Sequence, residues 1–146
     1  MNGTLIDNIF TKKTFMKLES KKTIVNKSAQ DTFNFLNKIE NFEALMPENI
    51  SKFEVLDSDK FLFALKGMPE IVLKRKDVIE PSQIVLGAAG GKLDFSLTAN
   101  ITELEANKSE VQLLFAGDFN AMMAMMIKGP ISKFIDTLAE NMPKAI

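Results

Sequence analysis

The chemistry this sequence could carry starts with Arg75 and Asp77, which stand two apart in the run Ile71 to Glu80. On a strand, side chains two apart project to one face, and here that face also holds Ile71, Leu73 and Ile79. If it is the inner face of a sheet, a guanidinium and a carboxylate enter an apolar interior. A lone buried charge is costly, so the two would pair with each other or with a polar group of a ligand. In that setting Asp77 suits a general base and Arg75 an electrostatic stabiliser of an enolate. The plainer placement is a rim or edge, where a bulge turns both to solvent. Lys74 and Lys76, on the opposite face, fit a solvated surface.

Four methionines, Met122, Met123, Met125 and Met126, make the first turns of a C-terminal helix apolar on every side, so something must cover them. Methionine is flexible and polarizable and is over-used at adaptable binding surfaces. Met122, Met123 and Met126, with Ile127 and Pro130, are therefore candidates for lining a ligand cavity or its mouth; ordinary packing and a subunit interface explain the same cluster. Small residues expected on the inward sheet face, Gly67, Ala99 and Gly117, sit among Phe63, Leu65, Phe95, Leu97, Leu113 and Phe115, with Leu73 on the neighbouring strand. They would leave room for a ligand. Alternatively the glycines permit sheet bending or close approach of a helix.

The absences narrow the chemistry further. The chain has no His, Cys, Trp or Tyr, which removes Ser-His and Cys-His nucleophile pairs, facial iron triads, the usual zinc sites and any disulfide framework. No catalytic residue, metal ligand or cofactor is assigned. Gly87 to Lys92 superficially resembles a phosphate loop, but Leu86 and Leu93 stand where that motif needs Gly and Ser or Thr, so a hairpin loop is expected. Asp57 and Asp59 lack further ligands at cation-loop spacing and fit a turn. Arg75 is the single arginine among 18 basic residues and net charge is −1, so nucleic-acid binding is not expected. With no long apolar run, no integral membrane segment is expected either, and cytoplasmic location is the default reading.

These residues must be positioned by one domain, since 146 residues suffice to bury a core unaided. The opening MNGTLIDNIFTKKTF fits poorly with the strand pattern beside it, and Met16 offers a cleaner start. Residues 1–15 therefore read as an extension, disordered or mis-assigned, weighed against a short ordered arm, with the domain at 16–146. A strand, Leu18 to Asn26, passes into a helix at about Ala29 to Lys38 capped by Ser28, and a second short helix, Ile39 to Leu45, halts at Met46-Pro47. From Ile50 to Phe119 the apolar period is two, broken at Asp57-Ser58-Asp59, Met68-Pro69, Pro81 and the glycine-rich stretch 87–91. The clearest alternation sets Leu93, Phe95, Leu97, Ala99 and Ile101 against Asp94, Ser96, Thr98, Asn100 and Thr102, as in an antiparallel sheet with one covered face. Asn120 suits an N-cap, and Ala121 to about Asn141 reads as one helix with a stripe at Met123, Ile127, Ile131, Phe134, Leu138 and Met142, kinked at Gly129-Pro130.

In this order the segment TIVNKSAQDTFNFLNKIENFEALMP and the final ISKFIDTLAENM resemble the START-like (SRPBCC) superfamily over Leu18 to Met142. The resemblance implies an α+β helix-grip fold: a seven-stranded antiparallel sheet, two short helices after the first strand, and a long C-terminal helix across the sheet. It implies a cavity between sheet and helix, as in relatives that carry lipids or sterols, cyclise polyketides, or bind plant hormones or quinones, and no catalytic residue to carry over. The iron-dependent ring hydroxylases are excluded by the missing histidines. The plant-allergen branch is disfavoured because Asp57-Ser58-Asp59 replaces its glycine-rich loop. The expected function is a carrier or sensor of a mostly apolar small molecule, lipid, quinone or polyketide-like. A cyclase or aromatase using Arg75 and Asp77 is the first alternative. The second is a protein-contact module, with a protein partner or homodimer held through the methionine-rich helix.

Overall fold

The computed structural model describes residues 13–89 and 94–146. Alternating sequence becomes antiparallel sheet throughout: β1 (Lys13–Glu19), β2 (Thr23–Val25), β3 (Ile50–Asp57), β4 (Lys60–Leu65), β5 (Ile71–Ile79), β6 (Gln83–Ala88), β7 (Asp94–Glu105) and β8 (Lys108–Asn120). The strand order is β1-β8-β7-β6-β5-β4-β3, with β2 also paired to β8. Helix α1 (Ala29–Leu36) and a 3-10 helix (Ile39–Leu45) follow β2, and the C-terminal helix α2 (Ala121–Ala145) closes the chain.

The edge strand expected as one piece is two, which makes eight strands instead of seven. Ser20 marks the break and keeps the ladder satisfied there. Its N–H donates to the Leu113 carbonyl at 2.8 Å, and its hydroxyl oxygen accepts the Leu113 N–H at 2.9 Å. The chain then turns toward α2, where the Lys21 N–H donates to Asp136 Oδ1 at 2.8 Å and the Lys21 ammonium pairs with Glu140. β1 begins at Lys13, pairing with Asn120, so Lys13 to Phe15 belong to the sheet and Met16 lies inside a strand. The boundary drawn after residue 15 is corrected to that extent; residues 1–12 lie outside the described residues, as do residues 90–93, the end of the glycine-rich loop with Leu93.

Both expected N-caps form. Ser28 Oγ accepts the Asp31 N–H at 3.0 Å, and Asn120 Oδ1 accepts the Met123 N–H at 2.8 Å, each satisfying an orphan donor of a first helical turn. A buried hydroxyl pair, Thr32 with Ser109 at 2.9 Å, fastens α1 to β8.

One apolar core lies between the inner sheet face and the helices. Phenylalanines run through it as a chain: Phe42 and Phe53 each stack on Phe61 at 5.3 Å, Phe61 meets Phe63 at 6.0 Å, and Phe63 stacks on Phe134 of α2 at 5.0 Å and 5°. A second group, Phe95, Phe115 and Phe119, lies on β7 and β8. The two halves of α2 differ. Ile131, Phe134, Ile135, Leu138, Ala139 and Met142 are buried, whereas no residue from Ala121 to Pro130 is. α2 is assigned as one helix through Gly129-Pro130, beyond the expected end at Asn141, and carries a second proline, Pro143, in its last turn. No described helix is long and apolar enough to cross a membrane.

Candidate functional site

A cleft of about 380 Å³ opens where three elements converge: the loop after the 3-10 helix, the end of β4 with the turn after it, and the middle of α2. Each wall has a local cause. Met46 is extended (φ −66°, ψ 146°), as a residue before proline prefers, and it swings Pro47 and Asn49 outward from the buried Leu45. The Asn49 carbonyl accepts the Lys66 N–H at 2.9 Å, tying this loop to the second wall. There a tight turn is closed by the Met68 N–H on the Leu65 carbonyl at 2.9 Å, with Gly67 at φ +82°, a conformation that side-chain-bearing residues avoid. Leu65, Lys66 and Met68 consequently face the cleft.

The third wall is a helical stripe. Pro130, Lys133, Phe134 and Thr137 recur at three- and four-residue steps, so they line one flank of α2, with Gly129 beside them. Pro130 has no N–H, which leaves the Met126 carbonyl without its intrahelical partner. At Gly129 a Cβ would meet no heavy atom within 4 Å beyond its chain neighbours and the helix's own backbone, so no other element covers the helix there. The floor is apolar, made by Leu65, Met68, Pro47, Pro130 and the ring of Phe134. The rim carries Asn49, Thr137 and two exposed ammonium groups, Lys66 and Lys133. Neither lysine is ion-paired among the described residues.

Of the expected lining residues, the structure brings Leu65 and Pro130 to this cleft. Phe63, Leu73, Leu97, Ala99, Leu113 and Phe115 are on the inward face but packed into the core, and Phe95, Met123 and Ile127 are half-buried against it. Four of the other placements are corrected. Gly67 lies in the turn, off the sheet face. Gly117 leaves no room, since a Cβ there would sit 2.7 Å from both the Asp94 carbonyl oxygen and Phe95 Cβ, and 2.9 Å from the Phe119 ring. Met122 and Met126 are 59% and 69% exposed, on the side of α2 away from the sheet.

Arg75 is inward-facing and half-buried, and protein groups hold its guanidinium. Its guanidinium donates to the Asn37 carbonyl, to Asn37 Oδ1 at 3.2 Å, to the Ser58 carbonyl at 2.9 Å and to Asp59 Oδ1 at 2.6 Å. It tethers the end of α1 to the β3–β4 turn. Asp77 is the fifth correction. Between Arg75 and Asp77 the ladder with β6 shifts register, and that bulge carries Asp77 to an exposed position opposite Val85. Asp57 and Asp59 act as turn residues: Asp57 Oδ1 accepts the Asp59 N–H at 2.7 Å, which holds the Asp57 carboxyl below its usual pKa.

Pro47, Asn49, Lys66, Met68, Gly129, Lys133, Phe134 and Thr137 were not anticipated as lining. Their signal was present in part, because Met46-Pro47, Met68-Pro69 and Gly129-Pro130 all stood out as breaks. Periodicity reads elements, whereas this cleft is built from the places where elements stop.

No protein-family model matches the sequence, and no curated protein sequence matches it. Solved structures do. Norcoclaurine synthase from Thalictrum flavum superposes with a TM-score of 0.72 at 10% identity, covering 93% of this chain and 88% of that one. A conserved protein from Geobacillus kaustophilus gives 0.65 at 12% identity (88% and 93% covered), and a START superfamily protein from Mycobacterium smegmatis gives 0.64 at 14% (89% and 94% covered). This chain has the helix-grip fold that these structures share. The cleft lies between the β4–β5 turn and the middle of the C-terminal helix.

Proposed function

We propose that this protein is a carrier or sensor of a mostly apolar small molecule, bound in the cleft between the β4–β5 turn and α2. The observation that carries the reading is the cleft itself. Its floor of Leu65, Met68, Pro130 and Phe134 is apolar, and its volume of about 380 Å³ falls within the range of small-molecule sites, roughly 300–1,000 Å³. Desolvation would supply the affinity, at about 0.8 kcal/mol for each ligand methylene buried. Norcoclaurine synthase, of the same fold, has been solved in complex with dopamine and hydroxybenzaldehyde, so this fold can hold small organic molecules. Arg75 is engaged by Asn37, Ser58 and Asp59, and Asp77 is exposed, so the pairing that a cyclase reading requires has no support.

The test is organic extraction of the purified protein with mass spectrometry, followed by binding of a lipid and quinone panel. A co-purifying apolar compound, or saturable binding from the panel, is the expected result. No compound and no binding would overturn the reading. Exposure of Met122, Met125 (83%) and Met126 favours a second reading, a protein-contact surface on the outer side of α2. Light scattering that shows a dimer in wild type and a monomer in Met125→Lys would support it.

A further inference from the structure

We propose that the molecule bound in this cleft is an anionic amphiphile, its negative head group held between Lys66 and Lys133 and its apolar chain laid over Leu65, Met68 and Phe134. The inference rests on the cleft being the ligand site. Lys66 and Lys133 come from opposite walls, one from the β4–β5 turn and one from α2, and both line the same opening. No Asp or Glu lines it with them. Other exposed lysines also lack a carboxylate partner among the described residues; what distinguishes Lys66 and Lys133 is their position on facing walls above one apolar floor.

Like charges facing each other across an opening repel, and an anion placed between them converts that repulsion into two attractions. Lysine suits the task, because its methylene stem extends the apolar wall while its ammonium stays at the water boundary. Asn49 and Thr137 add polar groups at the same rim. The Thr137 hydroxyl already donates to the Lys133 carbonyl at 2.9 Å, which leaves its oxygen as an acceptor, so the anion is recognised by the ammonium groups. Lys66 is anchored through its backbone, by its N–H on the Asn49 carbonyl and by the turn at Gly67, which leaves the side chain free to follow the head group.

The experiment compares fluorescent cis-parinaric acid with the corresponding neutral alcohol, with a long-chain alkyl phosphate as displacing ligand to separate carboxylate from phosphate preference. Wild type is expected to bind the acid about tenfold more tightly than the alcohol, ~1.4 kcal/mol, with the preference shrinking as salt rises. In Lys66→Met/Lys133→Met the ratio should fall to about one, whereas Lys128→Met, on the same helix but outside the lining, should keep it. Thermal unfolding checks that the variants fold. Equal binding of acid and alcohol by wild type, or a preference that survives the double substitution, would overturn the inference and leave the apolar-site reading standing. Failure of both probes to bind would overturn both.

Discussion

Two glycines report where this fold has space, and alanine at each gives a quantitative test. At Gly117 the added Cβ would lie 2.7 Å from the Asp94 carbonyl oxygen, 2.7 Å from Phe95 Cβ and 2.9 Å from the Phe119 ring. The first two are backbone or backbone-fixed atoms in a paired β7–β8 ladder and cannot swing aside. Overpacking costs about 1–3 kcal/mol, and rigid neighbours put this site at the top of that range, ~3 kcal/mol. For a chain of this size that is a fall in Tm of roughly 10 °C. At Gly129 the opposite holds, since nothing beyond the chain neighbours and the helix's own backbone lies within 4 Å of an added Cβ. Replacing a helical glycine gains about 1 kcal/mol, but the new Cβ precedes Pro130 and meets its ring, which opposes the gain. Gly129→Ala should therefore stay within about 1 kcal/mol of wild type. Urea or thermal unfolding followed by circular dichroism reads both. A neutral Gly117→Ala would refute the reasoning and return the room to the inner face of β7 and β8.

Arg75→Met should destabilise the fold by about 2 kcal/mol, because it strips charge-assisted hydrogen bonds from Asn37, Ser58 and Asp59 at a half-buried site. Arg75→Lys should recover only part of that, one ammonium being unable to span the same partners, and full recovery in denaturant unfolding would argue against the tether. The Lys21–Glu140 pair sets a pH dependence. The hydrogen bond and charge of Lys21 hold the Glu140 carboxyl below its ordinary value, and the same contact raises Lys21. A depressed carboxylate stabilises above the ordinary carboxylate range and loses that contribution as pH falls through its folded value. A raised lysine stabilises below the ordinary lysine value and loses its contribution as pH rises through its folded one. Glu140→Gln should therefore flatten the stability profile at both the acid and the alkaline end; a profile of unchanged slope would show that the pair contributes nothing in solution.

The fold was readable because its signals are local. Alternation over Phe95 to Ile101, caps at Ser28 and Asn120 and the stripe through Ile131 to Met142 each act within a few residues, and each is found in the structure. The break in the edge strand was not readable because the group that satisfies the ladder there, the Ser20 hydroxyl on the Leu113 N–H, pairs residues far apart in the sequence. The site was less readable for a physical reason. Alternation assigned Arg75 and Asp77 to one face, and a bulge, which inserts one residue, moved Asp77 off it. Gly117 read as room, but whether a missing side chain leaves space depends on neighbours distant in sequence, here Phe95 across the ladder. The cleft draws on residues 47, 66 and 133, and their convergence follows from how loops close over α2, which no window of sequence contains.

The claim that binding happens at the β4–β5 seam, and not under the exposed methionines, can be read directly from methionine methyl groups. The chain has nine methionines, of which Met68 lines the cleft while Met122, Met125 and Met126 project from the outer side of α2. Labelling the methyl carbons and titrating a neutral apolar probe such as N-phenyl-1-naphthylamine should shift the Met68 methyl resonance saturably and leave those of Met122, Met125 and Met126 in place. Saturable shifts confined to Met122, Met125 and Met126, with Met68 unmoved, would contradict the account.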